Sequence, residues 1–150
     1  MKVCIGGTFD KLHKGHKKLL KKAFELAGKN GKVFIGLASG NLIKNKKEVK
    51  PLNDRLKNLK QYLSEQEFNK QAIIVPITNK YGPTLEEDFD AIIISPETER
   101  SAIEINQKRI LKAKKPLKII KIPFVLAEDG KAISSTRINN KEIDENGTIL

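Results

Sequence analysis

Short apolar runs alternate with longer amphipathic stretches along the whole chain. The short runs are rich in β-branched residues, which is typical of strands. We predict five strands, at residues 2–5, 32–38, 72–77, 91–95 and 118–122. The fifth is expected to continue after Pro123 over residues 124–127. Residues 91–95 form an unbroken apolar run, which is typical of a parallel sheet that is buried on both faces.

The longer stretches carry apolar residues at the three- and four-residue spacing of a helix. We predict helices over residues 14–27, 53–66 and 98–114, and a short helix that begins near Ser134. Strands that alternate with helices imply right-handed βαβ units. The prediction is therefore an α/β fold: one domain, residues 1–150, with a Rossmann-like, doubly wound five-stranded parallel sheet and helices on both faces. Ligands of such sheets bind beyond the carboxyl ends of the strands.

The first strand leads into a turn and a helix that together predict a phosphate site. Gly6 and Gly7 allow a sharp turn, and His13 and His16 stand directly before or within the first turn of the helix. The first backbone N–H groups of a helix have no internal partner and attract anions. Two imidazoles at that position can donate hydrogen bonds to phosphoryl oxygens.

A second candidate anion site lies at the start of the last predicted helix, where Ser134, Ser135 and Thr136 follow one another. Their hydroxyls and the free backbone N–H groups could hold phosphates. Serine and threonine are also ordinary helix N-caps, so this stretch taken alone favours capping. The histidine stretch at the other end of the chain shifts the balance to phosphate binding.

Net charge and amino-acid composition limit the classes of partner that the protein is expected to bind. The net charge of +11 permits nucleic-acid binding, but the lysines are spread over helix faces and aromatic residues make up only 5%. No apolar run reaches membrane-spanning length, and no signal-peptide pattern opens the chain. A single cysteine fits a reducing compartment. We expect a cytoplasmic protein that binds neither nucleic acid nor membrane; its oligomeric state is not predicted.

The spacing Gly6-Gly-Thr-Phe-Asp-x-x-His-x-Gly-His16 resembles the signature of the HxGH nucleotidyltransferase superfamily. The stretch from Ile133 to Ile138, Ile-Ser-Ser-Thr-Arg-Ile, is similar to the superfamily's second signature. Such enzymes transfer a nucleoside monophosphate from a nucleoside triphosphate to a phosphate acceptor and release pyrophosphate. The resemblance thus implies a single nucleotidyltransferase domain.

Three further stretches resemble the archaeal and eukaryotic branch of the pantetheine-phosphate adenylyltransferases: Leu42–Lys46, Tyr81–Thr84 and Ser95–Glu99. The implied reaction transfers AMP from ATP to 4′-phosphopantetheine, giving dephospho-coenzyme A and pyrophosphate in coenzyme A biosynthesis. The alternative is a cytidylyltransferase, or another enzyme of the same fold, with a different acceptor. One departure from the branch is that Asn79-Lys80 stands where an acidic residue often precedes Tyr-Gly-Pro.

The resemblance also implies roles for single residues. His16 and Thr8 would be catalytic, together with Lys44 or Lys46. The ATP-binding set would be Gly7, Thr8, Phe9, His13, His16, Arg109, Ser134, Ser135 and Thr136. The acceptor-binding set would be Thr8, Lys44, Tyr81 and Glu97.

Other residues near these stretches are open or secondary. Arg109 is the first basic candidate of its helix and Arg100 the second. Asp10 either faces the site or orders its turn, and Arg55 is expected to pack or pair on its helix. Mg²⁺ is expected to arrive with ATP, because no dedicated carboxylate set is visible and no protein metal site is predicted.

Overall fold

A computed structural model describes residues 1–46 and 48–150; Lys47, in the predicted lysine-rich loop, lies outside the described residues. The strands are β1 (Lys2–Gly7), β2 (Lys32–Ala38), β3 (Ala72–Ile77), β4 (Ala91–Ile94) and β5 (Lys118–Lys121). The helices are α1 (Lys14–Ala27), α2 (Leu52–Glu65), α3 (Glu99–Leu111) and α4 (Ser135–Asn139). Two 3₁₀ turns cover Gly40–Leu42 and Pro96–Thr98.

All five strands are parallel, in the order β3-β2-β1-β4-β5. Successive residues of a strand face opposite sides of the sheet. The helices α1 and α2 cover one side, where Leu20 and Leu59 pack with Val3 and Ile5. The helix α3 covers the other side, where its buried residues pack with Cys4. The predicted fold class, with helices on both faces, is confirmed.

The bounds of most predicted elements differ from the observed ones by a few residues, and two expectations were wrong. Gly6 and Gly7 do not form a turn but end β1. Residues 124–127 do not continue β5. They form a small hairpin instead, in which Leu126 bridges Ala132 in antiparallel fashion and the Ile133 N–H donates to the Val125 carbonyl at 2.9 Å. Pro123 carries no N–H for a sheet ladder, so the strand ends before it.

The strand order reverses at β1, which lies between β2 and β4. The chain leaves β1 toward β2 on one side, and β4 continues toward β5 on the other. Loops therefore diverge beyond the carboxyl ends of β1 and β4, which leaves a crevice where ligands bind in open α/β sheets. No helix within the described part of the chain is long and apolar enough to cross a membrane.

Candidate active site

The amino end of α1 is capped by His13. Its Nδ1 atom accepts hydrogen bonds from the Gly15 N–H at 3.0 Å and the His16 N–H at 3.4 Å. A Cβ atom on Gly15 would lie 2.8 Å from Cε1 of His13, so the glycine is required by the capping ring itself. Because Nδ1 of His13 accepts, the neutral ring carries its proton on Nε2 and can donate there to a phosphate.

The His16 ring is fixed by three neighbours. Its Nδ1 lies 2.9 Å from the Lys11 carbonyl and 3.4 Å from the His13 N–H. The shorter contact assigns the proton to Nδ1, which donates to Lys11. The ring stacks on His13 with centroids 3.8 Å apart, and the Phe9 ring lies 5.1 Å away. In the neutral ring Nε2 thus carries no proton. It becomes a donor to phosphate when His16 is protonated.

Both histidines are neutral in the free protein near pH 7. Burial lowers the pKa of His13 to about 3, and the adjacent His16 ring adds to that effect. Burial lowers the pKa of His16 to about 4, although its hydrogen bond to Lys11 opposes the change. An entering phosphate group supplies the negative charge that favours the protonated form of either ring.

These depressed pKa values predict a loss of stability in mild acid. The unfolded chain binds protons on both histidines near the ordinary pKa of 6.5, whereas the folded chain does so only near pH 4 and pH 3. Unfolding thus takes up protons between these limits, and the free energy of unfolding falls by about 2 kcal/mol per histidine from pH 7 to pH 5. Urea titrations at both pH values measure the fall.

The His16→Asn variant is the control for that titration. It retains one titrating histidine at the site, so its free energy of unfolding is expected to fall about half as far. A wild-type free energy that does not change between pH 7 and pH 5 would contradict the neutral pair.

Beyond the carboxyl end of β1, Thr8 meets a lysine of the loop that follows β2. The Lys46 ammonium donates to Oγ1 of Thr8 at 2.8 Å. Lys44 has an exposed side chain, and no described residue accepts a hydrogen bond from it. Of the two lysines that the sequence left as alternatives, Lys46 is therefore the one that the fold brings to Thr8. The predicted role of Lys44 has no contact in the structure to support it.

The side chain of Phe9 is buried, and the place of this residue in the ATP-binding set stays a prediction. It is 2% exposed and packs beside His16. A Cβ atom on Gly7 would lie 3.1 Å from the Phe9 ring, so the glycine makes room for that packing. Phe9 thus supports the His16 ring, and only its backbone is left to meet a nucleotide.

Arg55 and Asp10 bind the backbone behind this site, a connection that sequence reasoning missed. Arg55 packs on α2 as expected, but its guanidinium also donates to carbonyls of the Thr8 turn and of the loop after β2. The Asp10 carboxylate is buried and accepts from the Lys50 N–H at 2.8 Å. The signal in the sequence was the position of Arg55 between Leu52 and Leu59, which places an arginine on the buried face of a helix.

The second predicted anion site lies near the same turn. Ser134 caps α4 by accepting from the Arg137 N–H at 3.2 Å, and Asn139 at the end of α4 donates to Asp10 at 3.4 Å. The capping role of Ser134 is thus observed, and α4 is tied to the first loop. Phosphate binding by Ser134, Ser135 and Thr136 stays a prediction.

Arg109 does not lie at the site, and its assignment to ATP was wrong. Its side chain is 1% exposed and donates to the carbonyls of Lys115, Thr84 and Glu87 at 2.6–2.9 Å. The helix α3 runs back from the carboxyl edge of the sheet, so its last turn lies at the opposite edge. Arg100 is exposed and lies in the first turn of α3, which begins at the carboxyl edge of the sheet. Glu97 is also exposed, in the turn that follows β4, and its role stays a prediction.

Tyr81 closes an apolar cavity of about 60 Å³ on the α3 side of the sheet. The lining includes Gly6 of β1, Gly36 of β2, Ile77 of β3 and Ile105 of α3. The Tyr81 hydroxyl donates to the Glu104 carboxylate, which also accepts from Lys80 at 2.8 Å. These hydrogen bonds raise the pKa of Tyr81 and lower that of Glu104. The loop is thus pinned to α3, and it roofs a cavity that begins at the same β1 end as the Thr8 turn.

No group of three or more histidine, cysteine, aspartate or glutamate side chains that could hold a metal ion occurs in residues 1–46 and 48–150. The Asp10 carboxylate, which lies nearest the turn in sequence, is already occupied by Lys50 and Asn139. The site therefore offers a helix N-terminus, two imidazoles, a hydroxyl and an ammonium. These are donors to anionic oxygens.

Comparison with known proteins identifies the family that uses this arrangement. Residues 4–141 match the family described as cytidylyltransferase-like. A phosphopantetheine adenylyltransferase of Methanosarcina acetivorans is 46% identical over 147 residues, covering 97% of this chain and 94% of that protein. Another, of Archaeoglobus fulgidus, is 44% identical over 151 residues, covering 100% of both chains.

A solved structure supports the same relation. A crystal structure of an Archaeoglobus fulgidus protein of unknown function superposes with a TM-score of 0.73 at 41% identity, covering 81% of this chain and 89% of that one. The sequence signatures, the sheet order and these relatives agree. The chain belongs to the cytidylyltransferase-like family and, within it, to the phosphopantetheine adenylyltransferases.

Proposed function

We propose that this protein transfers AMP from ATP to 4′-phosphopantetheine, giving dephospho-coenzyme A and pyrophosphate. The observation that carries the proposal is the hydrogen bond from Lys46 to Thr8 beside the capped end of α1. This contact holds a positive charge beside a hydroxyl of the turn that joins β1 to α1, and we expect an acceptor phosphate to meet a nucleotide there.

The reaction needs no nucleophilic side chain, because the acceptor is itself a nucleophile. A phosphate monoester is an anion near neutral pH, and its oxygen can attack the α-phosphorus of ATP directly. A new P–O bond forms on one side while the bond to pyrophosphate breaks on the opposite side, and the pyrophosphate carries away the bonding electrons. The enzyme therefore contributes alignment of the two phosphates and stabilisation of the charge that builds on the α-phosphoryl oxygens.

Each residue of the site supplies a part of that stabilisation. Protonated His16 donates from Nε2 to the α-phosphoryl group, with the ring held by Lys11 and Phe9. His13 donates from Nε2 to the triphosphate. Lys46 and Thr8 lie between acceptor and donor phosphates, so their positive charge and hydroxyl offset the repulsion between the two anions.

Mg²⁺ enters with ATP in this proposal, since the triphosphate and water supply the oxygen ligands that the described side chains do not. When bound, it reduces the negative charge of the triphosphate. Ser134, Ser135 and Thr136 are proposed to contact the β- and γ-phosphates from the start of α4.

The cavity under Tyr81 is proposed to take a part of the acceptor's arm, since its volume of about 60 Å³ is too small for the whole arm. It is lined mostly by apolar side chains and by three glycines, Gly6, Gly36 and Gly82. A chain with two amide groups and a dimethyl-substituted carbon can lie against such a surface, with its phosphate toward Thr8. Binding of this non-reacting arm would help to hold the phosphate in line with ATP, so acceptors without the arm should lose turnover as well as affinity.

An acceptor panel tests the proposal. Pyrophosphate release is measured with Mg²⁺ and either ATP or CTP, each offered with 4′-phosphopantetheine, glycerol 3-phosphate, nicotinamide mononucleotide and flavin mononucleotide. We expect turnover with ATP and 4′-phosphopantetheine alone, at least about 100-fold above every other pair. Preference for CTP or for another acceptor would reject the proposed substrates while keeping the nucleotidyl transfer. A folded protein that is inactive with every pair would reject the enzymatic function.

A further inference from the structure

Arg55 is a buried cation that contacts backbone carbonyls from three separate segments. Its side chain is 1% exposed. Nη1 donates to the Thr8 carbonyl at 3.0 Å and to the Ala38 carbonyl at 2.7 Å, and Nε donates to the Lys50 carbonyl at 2.8 Å. The second terminal nitrogen, Nη2, is buried and has no hydrogen-bond partner among the described residues. Burial lowers the pKa of Arg55, and the Asp10 carboxylate opposes that change.

The positions of these carbonyls relate Arg55 to one loop. Ala38 is the last residue of β2, and Lys50 precedes α2 by two residues. The same guanidinium therefore joins the beginning and the end of the segment that carries Lys46. Asp10 completes this arrangement, because it accepts from the N–H of Lys50 while Arg55 binds the carbonyl of that residue. The third carbonyl belongs to Thr8, whose side chain accepts from Lys46.

We propose that Arg55 is a positioning residue for adenylyl transfer: it fixes the lysine loop against the Thr8 turn so that the Lys46 ammonium is held at Thr8. This inference rests on the proposed function for its kinetic consequence. The arginine fork is suited to the task because Nε and Nη1 point in fixed directions toward different carbonyls. A lysine at position 55 keeps the charge and has three N–H donors, but all of them are on one nitrogen, so they cannot reach the carbonyls that Arg55 contacts from two separate nitrogens.

Arg109 provides a matched control within the same chain. It is equally buried, and its Nε and Nη1 also donate to three backbone carbonyls. Its partners lie away from Thr8 and Lys46, although one of them, Thr84, lines the cavity under Tyr81. Arg55→Lys and Arg109→Lys therefore impose the same chemical change at two sites, only one of which borders the lysine loop.

The kinetic test uses the full chain with ATP, Mg²⁺ and 4′-phosphopantetheine. Arg55→Lys is expected to lower kcat by about 30- to 100-fold, the scale of a small misplacement of reacting groups, while KM for ATP changes less than about fivefold. Arg109→Lys acts on the Thr84 loop and not on the lysine loop, so any loss of kcat that it causes should be the same with and without Lys46. In a Lys46→Ala background, Arg55→Lys should cost less than about threefold more, because the group that it positions is gone.

Hydrogen exchange gives a readout that needs no activity. Backbone amides of residues 39–50 should exchange at least about tenfold faster in Arg55→Lys than in wild type. Their exchange rates in Arg109→Lys should equal those of wild type. If Arg55→Lys does not fold, Asp10→Asn serves as the second variant, since it weakens the hydrogen bond from the Lys50 N–H to Asp10. It should show the same faster exchange and the same dependence on Lys46.

The outcomes separate the two proposals. An inactive wild type rejects the proposed function, and the exchange measurement then decides on Arg55. An active wild type in which the losses from Arg55→Lys and Lys46→Ala multiply overturns the positioning role. A loss from Arg109→Lys that disappears in the Lys46→Ala background overturns it too, because the dependence on Lys46 would then not be specific to Arg55. Unchanged exchange over residues 39–50 in the folded variant overturns it as well.

Discussion

Replacing His16 by alanine is expected to lower kcat by about a thousandfold, with KM for ATP changed much less. The imidazole is proposed to donate to the α-phosphoryl oxygens as their charge increases, and loss of one such donor costs about 10²- to 10³-fold. Here the lost donor is also cationic, which favours the upper end of that range. Steady-state pyrophosphate release measures the change.

Stability is expected to change little in the His16→Ala variant. The ring makes one short hydrogen bond, to the Lys11 carbonyl, and a longer contact of 3.4 Å with the His13 N–H, while the His13 ring binds the N–H groups of the first turn. We expect a melting temperature within about 5 °C of wild type. Lys18→Ala, an exposed substitution on the same helix, is the control and should keep kcat within about twofold. Near-normal kcat in a folded His16→Ala protein would rule out the proposed role.

The second large effect is expected at Lys46, where alanine should lower kcat by about 10²- to 10³-fold. The ammonium is held 2.8 Å from the Thr8 hydroxyl, between the proposed positions of the two anionic substrates. Its removal leaves the repulsion between acceptor phosphate and triphosphate uncompensated. Single-turnover rates at saturating substrates isolate this effect from binding.

Lys44→Ala is the matched control for that experiment. The two lysines lie in one loop and have the same charge, so both variants change the net charge equally. Lys44 is exposed and makes no hydrogen bond to a described residue, and its loss should change kcat less than about fivefold. If Lys44→Ala proves to be the more damaging substitution, the assignment of the bridging charge to Lys46 is wrong.

Local sequence was sufficient to predict the two histidines at the start of α1, but not the turn before them, since Gly6 and Gly7 are the last residues of β1. Strand, turn and helix follow one another within the first sixteen residues, and His13 caps the helix that follows it directly. The same stretch fixes the roles of Gly7 and Gly15, because both glycines make room for a ring only two residues away. Spacing in the sequence is informative there since the interacting groups are neighbours in the chain.

Tertiary contacts decided what the sequence left open or predicted wrongly. Lys44 and Lys46 have similar local surroundings, and only the path of the loop brings one of them to Thr8, 38 positions away. At Arg109 the sequence led to a wrong prediction instead of an open choice. Its charge suggested a phosphate contact, whereas the direction of α3 carries its last turn to the far edge of the sheet. A helix that follows a parallel strand can meet the site only with its first turn, and that rule favours Arg100.

The most direct test of the account is the stereochemical course at the α-phosphorus. A single stereoisomer of ATP with sulfur on the α-phosphoryl group is reacted with 4′-phosphopantetheine, and the configuration of the thio-substituted dephospho-coenzyme A is determined. The account predicts inversion, because the acceptor attacks in line with departing pyrophosphate and no protein group becomes adenylylated. Retention would require two successive displacements and a covalent adenylyl-enzyme, and it would contradict direct transfer at this site.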